Sequence, residues 1–379
     1  MMLLKSKSMD VQKRFDLISR NTDEVLMPDE LKQLLETGVP LKHYIGFEIS
    51  GKVHLGTGVV TGLKLSDFQK AGVKCSVYLA TYHAWINNKL GGNLDTIRKG
   101  ADYFKEGLVA SMLCSGADPE KIKFISGDEL YHHNDDYWRM VIDIAKNVTL
   151  NRSMRATTIM GRQSAGEMPL AWLMYAPMQV ADIFIQDLNL AHAGMDQRKA
   201  HVIAREVGLK IKPPSGKPYK PVAIHQHLIL GLQKPAVWPV PKERLQELWS
   251  QVKMSKSIPG SAVFVHDEPD EIRKKINNAF CLEGEIEFNP ILDWAEHLIF
   301  TQEKPELVVE RPAKFGGTVV FDNYPELQSA YSTKKLHPVD LKKAVAEAVI
   351  KLLEPARKHF AKPRVAKLKA EMESFVVTR

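Results

Sequence analysis

Lys253 and Lys256 stand three residues apart in the stretch SQVKMSKSIPG, residues 250–260, with Ser255 and Ser257 beside them and Pro259 and Gly260 closing the run. So short and polar a segment, ending in Pro and Gly, reads as a mobile loop. Flexible ammonium groups flanked by hydroxyls can close over a polyanion and stabilise charge that develops during a reaction. A second stretch, GKVHLGTG at residues 51–58, follows the β-type run HYIGFEI. In open α/β sheets ligands bind beyond the carboxyl ends of strands, where the next helix offers free backbone N–H groups. Gly56 and Gly58 would let a ligand approach the backbone, and His54 could donate to a phosphate oxygen. Alone, a histidine beside glycines caps such a turn as readily as it binds a ligand. Paired with the two-lysine loop it suits nucleotide activation, in which pyrophosphate leaves an attacked α-phosphate. The loop must then move, because ATP has to enter and pyrophosphate has to leave.

These residues need a scaffold. The pattern predicts helix over residues 9–38, where PDELKQLLETG offers Pro28 near a start and Gly38 as a stop. Strands are expected at 43–49, at KCSVYLA (74–80), at KIKFIS (121–126) and at PVAIH (221–225). Helices are expected up to Gly72 and over 95–115, 135–150, 169–185 and 194–207. Strands alternating with long helices predict an α/β fold with a Rossmann-like, doubly wound parallel sheet. Pro- and Lys-rich stretches at 210–220 and 233–243 read as loops. After the lysine loop the amphipathic patterns are helical, as in NPILDWAEHLIF. The expected layout is an N-terminal helical segment (1–39), a catalytic domain with a helical insertion (40–252), the loop (253–261), and a mainly helical C-terminal domain with a basic tail (262–379).

The bulk composition narrows the class. Hydrophobic residues make up 44% and charged residues 26% of the 379, as in ordinary globular chains. Cys75, Cys114 and Cys281 form no C-x-x-C pair, which speaks against a disulfide scaffold or a zinc site and for a reducing compartment. No apolar run is long enough to span a bilayer, and the N-terminus lacks a signal-peptide core, so a soluble, cytoplasmic protein is expected. The net charge is +7, and Leu341–Arg379 alone carries ten Lys/Arg against four Asp/Glu. That clustering suits a polyanionic partner. A solvated helix surface explains it equally well. Arg152, Arg155 and Arg162 in NRSMRATTIMGRQ form a second basic run without an acid, suited either to phosphate contact or to a solvated loop or subunit interface.

HLGT and KMSKS resemble the two signature motifs of class I aminoacyl-tRNA synthetases. YIGFEISGKVHLG, YAPMQVADIF, AGMDQRKAH, RPAKFGG and LHPVDLKKAVAE resemble the archaeal and eukaryotic type of tyrosyl-tRNA synthetase, in the expected order from about residue 15 to 360. The resemblance implies activation of L-tyrosine with ATP, carrying Mg²⁺, and transfer to the 3′ end of tRNA(Tyr), by a homodimer. It implies that Tyr44 and Asp182 bind the substrate's phenol and that Tyr175, Gln179 and Gln197 hold its α-amino group. Tyr175, Gln179 and Asp182 are four and three residues apart, so on a helix they share a face. Asp196 would contact the ribose. His54, Gly56, Thr57, Lys253, Ser255 and Lys256 would serve the phosphates. Arg198 and Lys199 would meet the acceptor end of tRNA. Phe315, His337, Pro338 and Asp340 would read the anticodon, an aromatic face stacking on an unpaired base and a carboxylate accepting from base amino groups. No protein metal site is implied.

The chain departs from the family at Thr57, where a second histidine is usual, and at Thr81, where an acid is frequent. Tyr78 and Leu130 are further unmatched pocket positions. A tryptophanyl-type synthetase, a small-molecule nucleotidyltransferase with a related signature, and an RNA-binding protein derived from a synthetase are the rival readings. KFGG, LHPVD and Asp182 weigh against the first two, and the intact KMSKS lysines against the third.

Overall fold

A computed structural model describes residues 10–161, 167–241, 248, 252–255 and 260–375. The described chain forms two compact units, each assembled from separate stretches. The first comprises Met1–Ile49, Lys64–Ile97 and Asp118–Gln226, and the second Ser50–Leu63, Arg98–Ala117 and His227–Arg379.

The first unit opens with helix α1 (Val11–Ser19), strand β1 (Thr22–Leu26) and helix α2 (Pro28–Glu36), whose Pro28 sits where a helix start has no use for an N–H. Strand β2 (Lys42–Glu48) follows. Helix α3 (Val59–Lys70), which begins in the second unit's stretch, leads to β3 (Lys74–Ala80), helix α4 (Thr81–Ile86), helix α5 (Leu94–Ser115), most of which belongs to the second unit, and β4 (Lys123–Ser126). Helices α6 (Gly127–Tyr131), α7 (Asp135–Lys146), α8 (Leu150–Ala156) and α9 (Trp172–Phe184) precede β5 (Leu190–Gly194), helix α10 (Arg198–Val207) and β6 (Val222–Gln226).

The sheet order is β1-β6-β5-β2-β3-β4, parallel throughout except for β1, which pairs antiparallel with β6. After β4 the chain returns to the far side of β2, so the winding reverses between β2 and β5. At such a switch point the ends of two neighbouring strands open a crevice. The expected doubly wound sheet is therefore present, with two strands that the pattern did not reveal. Residues 22–26 interrupt the expected helix because their backbone partners lie in β6, Val25 opposite Ile224 and Leu26 opposite Ala223. β5 falls in the gap between the helices expected over 169–185 and 194–207, where the sequence reading assigned no element. Lys64 on α3 is buried, its ammonium donating to the Leu17 and Arg20 carbonyls at 3.0 and 2.7 Å, and Arg20 pairs with the buried Asp67.

The second unit holds helices Pro269–Asn277, Pro290–Trp294, Tyr324–Ser332, Pro338–Leu352, Glu354–Phe360 and Pro363–Ser374 and a short hairpin of β7 (Leu307–Val309) and β8 (Val319–Phe321), on which Pro338–Leu352 and Tyr324–Ser332 pack. Trp294 is fully buried and donates its indole N–H to the Leu230 carbonyl at 2.8 Å. The segment after Phe360 is docked: Val365 and Met372 are buried, and Glu106 on α5 accepts from His359 at 2.7 Å and from Arg364.

Candidate active site

Helix α9 builds the centre of the first unit's site. It runs through Pro177 without interruption, so this proline neither starts nor ends it. Tyr175, Gln179 and Asp182 share one face, as their spacing requires. The Tyr175 hydroxyl donates to Glu48 Oε1 at 2.7 Å, at the carboxyl end of β2, and Asn87 Nδ2 donates to the same oxygen at 2.8 Å. Gln179 Nε2 donates to Gln197 Oε1 at 3.3 Å, and Gln197 Nε2 to the Ile159 carbonyl at 2.9 Å. Gln197 and Asp196 lie in the 3₁₀ turn Met195–Gln197, directly beyond β5. The polar groups thus gather at the switch-point ends of β2 and β5.

Asp182 is buried within an apolar and aromatic cluster. Its Oδ1 accepts from the Tyr131 hydroxyl at 3.0 Å and from the Tyr137 hydroxyl at 3.1 Å. Burial pushes this carboxyl up to about 8, against the pull of those two bonds. Tyr44, on β2 opposite Ser76 and Ala191, is also buried; burial first, and then the Asp182 charge, hold its phenol well above its ordinary range. Tyr78 stands edge-on to Tyr131 with centroids 6.1 Å apart. Glu48, His83, Tyr131 and Tyr137 join this polar cluster, and the sequence reading did not name them. Only an alternation in β2 placing Glu48 at a strand end could have signalled one of them.

At the start of α10, Arg198 forms a bidentate pair with Glu24, Nε to Oε2 at 2.8 Å. Lys199 Nζ donates to the Arg155 carbonyl at 3.1 Å and to Thr158 Oγ1 at 2.8 Å. Arg152 is paired with Glu206 at 2.8 Å, whereas the Arg155 side chain is exposed. Arg162 lies outside the described residues.

The second unit holds both signature motifs. Leu55 donates to the Val263 carbonyl at 3.0 Å and Val265 to that of Val53 at 3.1 Å, so the HLGT turn pairs with the chain just past KMSKS. Gly231 and Met254 bond across to Val252 and Ile229, each at 2.8 Å, which fixes Lys253 at the start of the loop. Ser261 Oγ closes the loop's base on the Ser255 carbonyl at 2.7 Å. Lys256 lies outside the described residues. His54 Nδ1 accepts from the Thr57 backbone N–H at 3.3 Å, and its Nε2 lies 3.1 Å from Thr57 Oγ1. With Nδ1 accepting, the ring's proton sits on Nε2 and is donated to that hydroxyl. Thr57, the departure from the signature, thus orients His54. A Cβ on Gly56 would come within 3.1 Å of Ile229 and 3.3 Å of His54. Gly58 is bare for packing: a Cβ there would meet Ser111 Oγ at 2.2 Å and Val53 at 2.9 Å.

Farther along this unit, Phe315 is 60% exposed in the 3₁₀ turn Ala313–Phe315, with Lys314 Nζ 4.9 Å over its ring. Gly316 and Gly317 follow at φ +98° and +70°, a left-handed turn that excludes side chains at little cost only in glycine. Arg311 donates to the Gly317 carbonyl and to the Lys335 carbonyl, both at 3.1 Å, tying this turn to the LHPVD segment. There His337 caps helix Pro338–Leu352 by accepting from the Val339 N–H at 3.2 Å, and Asp340 lies in the helix's first turn.

Residues 36–354 match the family described as tRNA synthetases class I (W and Y). A tyrosine–tRNA ligase of Thermococcus sibiricus is 54% identical over 379 residues, covering 98% of this chain and all of its own. The crystal structure of a tyrosyl-tRNA synthetase of Pyrococcus horikoshii complexed with L-tyrosine superposes with a TM-score of 0.92 at 52% identity, over 96% of this chain and 100% of the other. That of Aeropyrum pernix gives 0.81 at 39% identity, over 96% and 99%.

Proposed function

This chain belongs to the class I tRNA synthetases of the tryptophan and tyrosine kind, and from that membership we propose how its side chains divide the work. The activity is that of a tyrosine–tRNA ligase: L-tyrosine and ATP give tyrosyl-adenylate and pyrophosphate, and the tyrosyl group passes to the 3′ end of tRNA(Tyr). The observation carrying the residue assignment is the face of α9, where a buried carboxyl and two polar groups converge at the switch point.

In this reading Tyr44 and Asp182 bind the phenol. Tyr175, Gln179 and Gln197 hold the α-amino group, and Glu48, already bonded to Tyr175, adds the negative charge an ammonium favours. Asp196 meets the ribose. His54, Gly56 and Thr57 receive the phosphates, while Lys253, Ser255 and Lys256 stabilise the charge growing on pyrophosphate. The tyrosine carboxylate attacks the α-phosphorus, its new P–O bond forming as the bond to pyrophosphate breaks. The ribose hydroxyl of tRNA then displaces AMP. Positioning and charge stabilisation suffice, with no covalent bond to the enzyme.

Among the described residues the one group of three possible metal ligands is His227, Asp293 and His297, a nitrogen-rich set unlike the oxygen cage of Mg²⁺. No protein ligand is therefore assigned to Mg²⁺, which would arrive on the ATP phosphates and neutralise part of their charge.

Arg198 and Lys199 are assigned to the acceptor end and Phe315, His337, Pro338 and Asp340 to the anticodon, with residues 40–252 as catalytic domain and 262–379 as the RNA-reading one. A homodimer completes the proposal. Trp138, Ile142, Leu150 and Met154 leave exposed apolar side chains on the consecutive helices α7 and α8, which a second copy would cover. Placement in the cytoplasm rests on the substrates; no described helix is long and apolar enough to cross a membrane. ATP–pyrophosphate exchange with each standard amino acid in turn tests the pocket assignment. Exchange is expected with tyrosine, and faster exchange with any other amino acid would overturn it.

A further inference from the structure

The hydrogen-bond chain at the floor of this pocket has one loose end. The Tyr131 hydroxyl lies 3.0 Å from Asp182 Oδ1 and 3.2 Å from His83 Nδ1. A hydroxyl has one proton, here donated to the carboxyl, so Nδ1 of His83 carries the proton that meets the Tyr131 oxygen. Burial keeps the imidazole neutral, its pKa pushed down to about 4, with the Tyr175 backbone pulling the other way. A neutral ring protonated at Nδ1 presents Nε2 as an acceptor. That nitrogen is buried and has no hydrogen-bond partner among the described residues. It stands 3.9 Å from Asp182 Oδ2. The gap is too long for a direct bond and short enough for one oxygen to touch both. The ring is held in place edge-on to Tyr175, centroids 4.6 Å apart at 86°.

We infer that His83 is a specificity-determining residue whose Nε2 accepts the phenolic proton of the substrate tyrosine, with Asp182 Oδ2 on the same oxygen. The inference rests on the assignment of Asp182 to the phenol. It completes the inventory: the substrate oxygen donates to His83 and accepts from Tyr44 and from the protonated form of Asp182. Tyr131 is a positioning residue, since its oxygen sets the His83 tautomer. Phenylalanine would leave both Nε2 and Oδ2 without the substrate hydroxyl as partner, the situation that gives hydroxyl-reading pockets their large discrimination.

The test is ATP–pyrophosphate exchange on the full chain with tyrosine, phenylalanine and 4-fluorophenylalanine, the last filling the hydroxyl's space without a proton to donate. His83→Asn keeps a donor near Tyr131 and removes the group at Nε2, whereas His83→Gln returns an amide oxygen to that position. The expected result is a loss of about tenfold in kcat/KM for tyrosine in His83→Asn, the scale of one hydrogen bond. Both analogues should be unaffected, and His83→Gln should recover most of the loss. An equal loss for all three amino acids would overturn the inference, since the imidazole would then only shape the pocket. Asp182→Ala separates the two layers. If it collapses tyrosine-over-phenylalanine selectivity and His83→Asn does not, His83 alone is wrongly assigned; if Asp182→Ala leaves selectivity intact, the pocket assignment beneath it fails. Should the variants fold poorly, ¹⁵N NMR of the unaltered protein decides. The His83 Nε2 resonance must shift on binding tyrosine and stay in place with phenylalanine.

Discussion

Asp182 and Tyr44, proposed to read the substrate's phenolic oxygen, lie in a setting suited to that task. Both are buried, and two further phenols already bond to Oδ1 of Asp182, which in the proposed reading leaves Oδ2 for the substrate's phenol. Tyr44→Phe with Asp182→Ala should erode tyrosine-over-phenylalanine selectivity while ATP affinity stays near normal, which steady-state exchange with both amino acids measures. The upper bound is the discrimination of about 10⁵ that tyrosyl-tRNA synthetases reach against phenylalanine. Lys256→Ala should act on a different quantity. Pyrophosphate charge develops mainly in the transition state, so kcat for adenylate formation should drop by roughly 3 kcal/mol equivalent, with tyrosine KM little changed. Parallel losses in both parameters would mean that the loop merely shapes the pocket.

The elements that carry these residues were unequally visible in the sequence. Strands β2 and β3 announced themselves through apolar, β-branched or aromatic runs ended by Gly and polar residues. β1 did not, because TDEVL between two helices has no local reason to be extended; its reason is β6, some 200 residues away. Gly58 carries a related lesson, for the neighbour that a side chain there would meet is Ser111 on α5, some fifty residues away. Gly58→Ala should therefore destabilise the fold by about 1–3 kcal/mol, the usual cost of overpacking, as chemical denaturation would show. Adding Ser111→Ala should recover part of the loss. The hairpin turn with Phe315 and the capped helix with Asp340 are joined through Arg311. Phe315→Ala and Asp340→Ala should each weaken tRNA charging and spare pyrophosphate exchange. If both steps fall together, these residues support the fold.

The whole molecule buries an unusual set of imidazoles. Burial pushes His43 and His266 down to about 3 and His83 down to about 4, with nearby lysines adding to the effect for the first two. A folded pKa below the unfolded value means that the unfolded chain binds protons first. Their contribution is complete above about pH 6.5 and is lost as pH falls toward 3, at up to about 1.4 kcal/mol per pH unit for each histidine still neutral. Asp182 has the opposite sign: its raised pKa of about 8 means that folding disfavours its ionisation, a cost that grows as pH rises from about 4 through 8. Melting temperature followed from pH 8 to 4 should therefore hold or rise slightly at first and fall steeply below 6.5. A flat profile below pH 6.5 would mean that these imidazoles are hydrated and charged in the native state.

The sequence by itself determined the alternation of strands and helices, the two signature motifs, and the helix face bearing Tyr175, Gln179 and Asp182. Each of these is a local property, written in spacing over a few residues and in Pro and Gly at the ends of elements. Tertiary structure decided the rest. That Glu48 meets Tyr175, that Tyr131 and Tyr137 converge on Asp182, and that Thr57 turns His54 while the chain beyond KMSKS pairs with the HLGT turn all depend on backbone paths. Most of these contacts join residues dozens to hundreds of positions apart. For those no short window of sequence contains both partners, and their meeting is fixed by strand order and by which side chains the core cannot solvate.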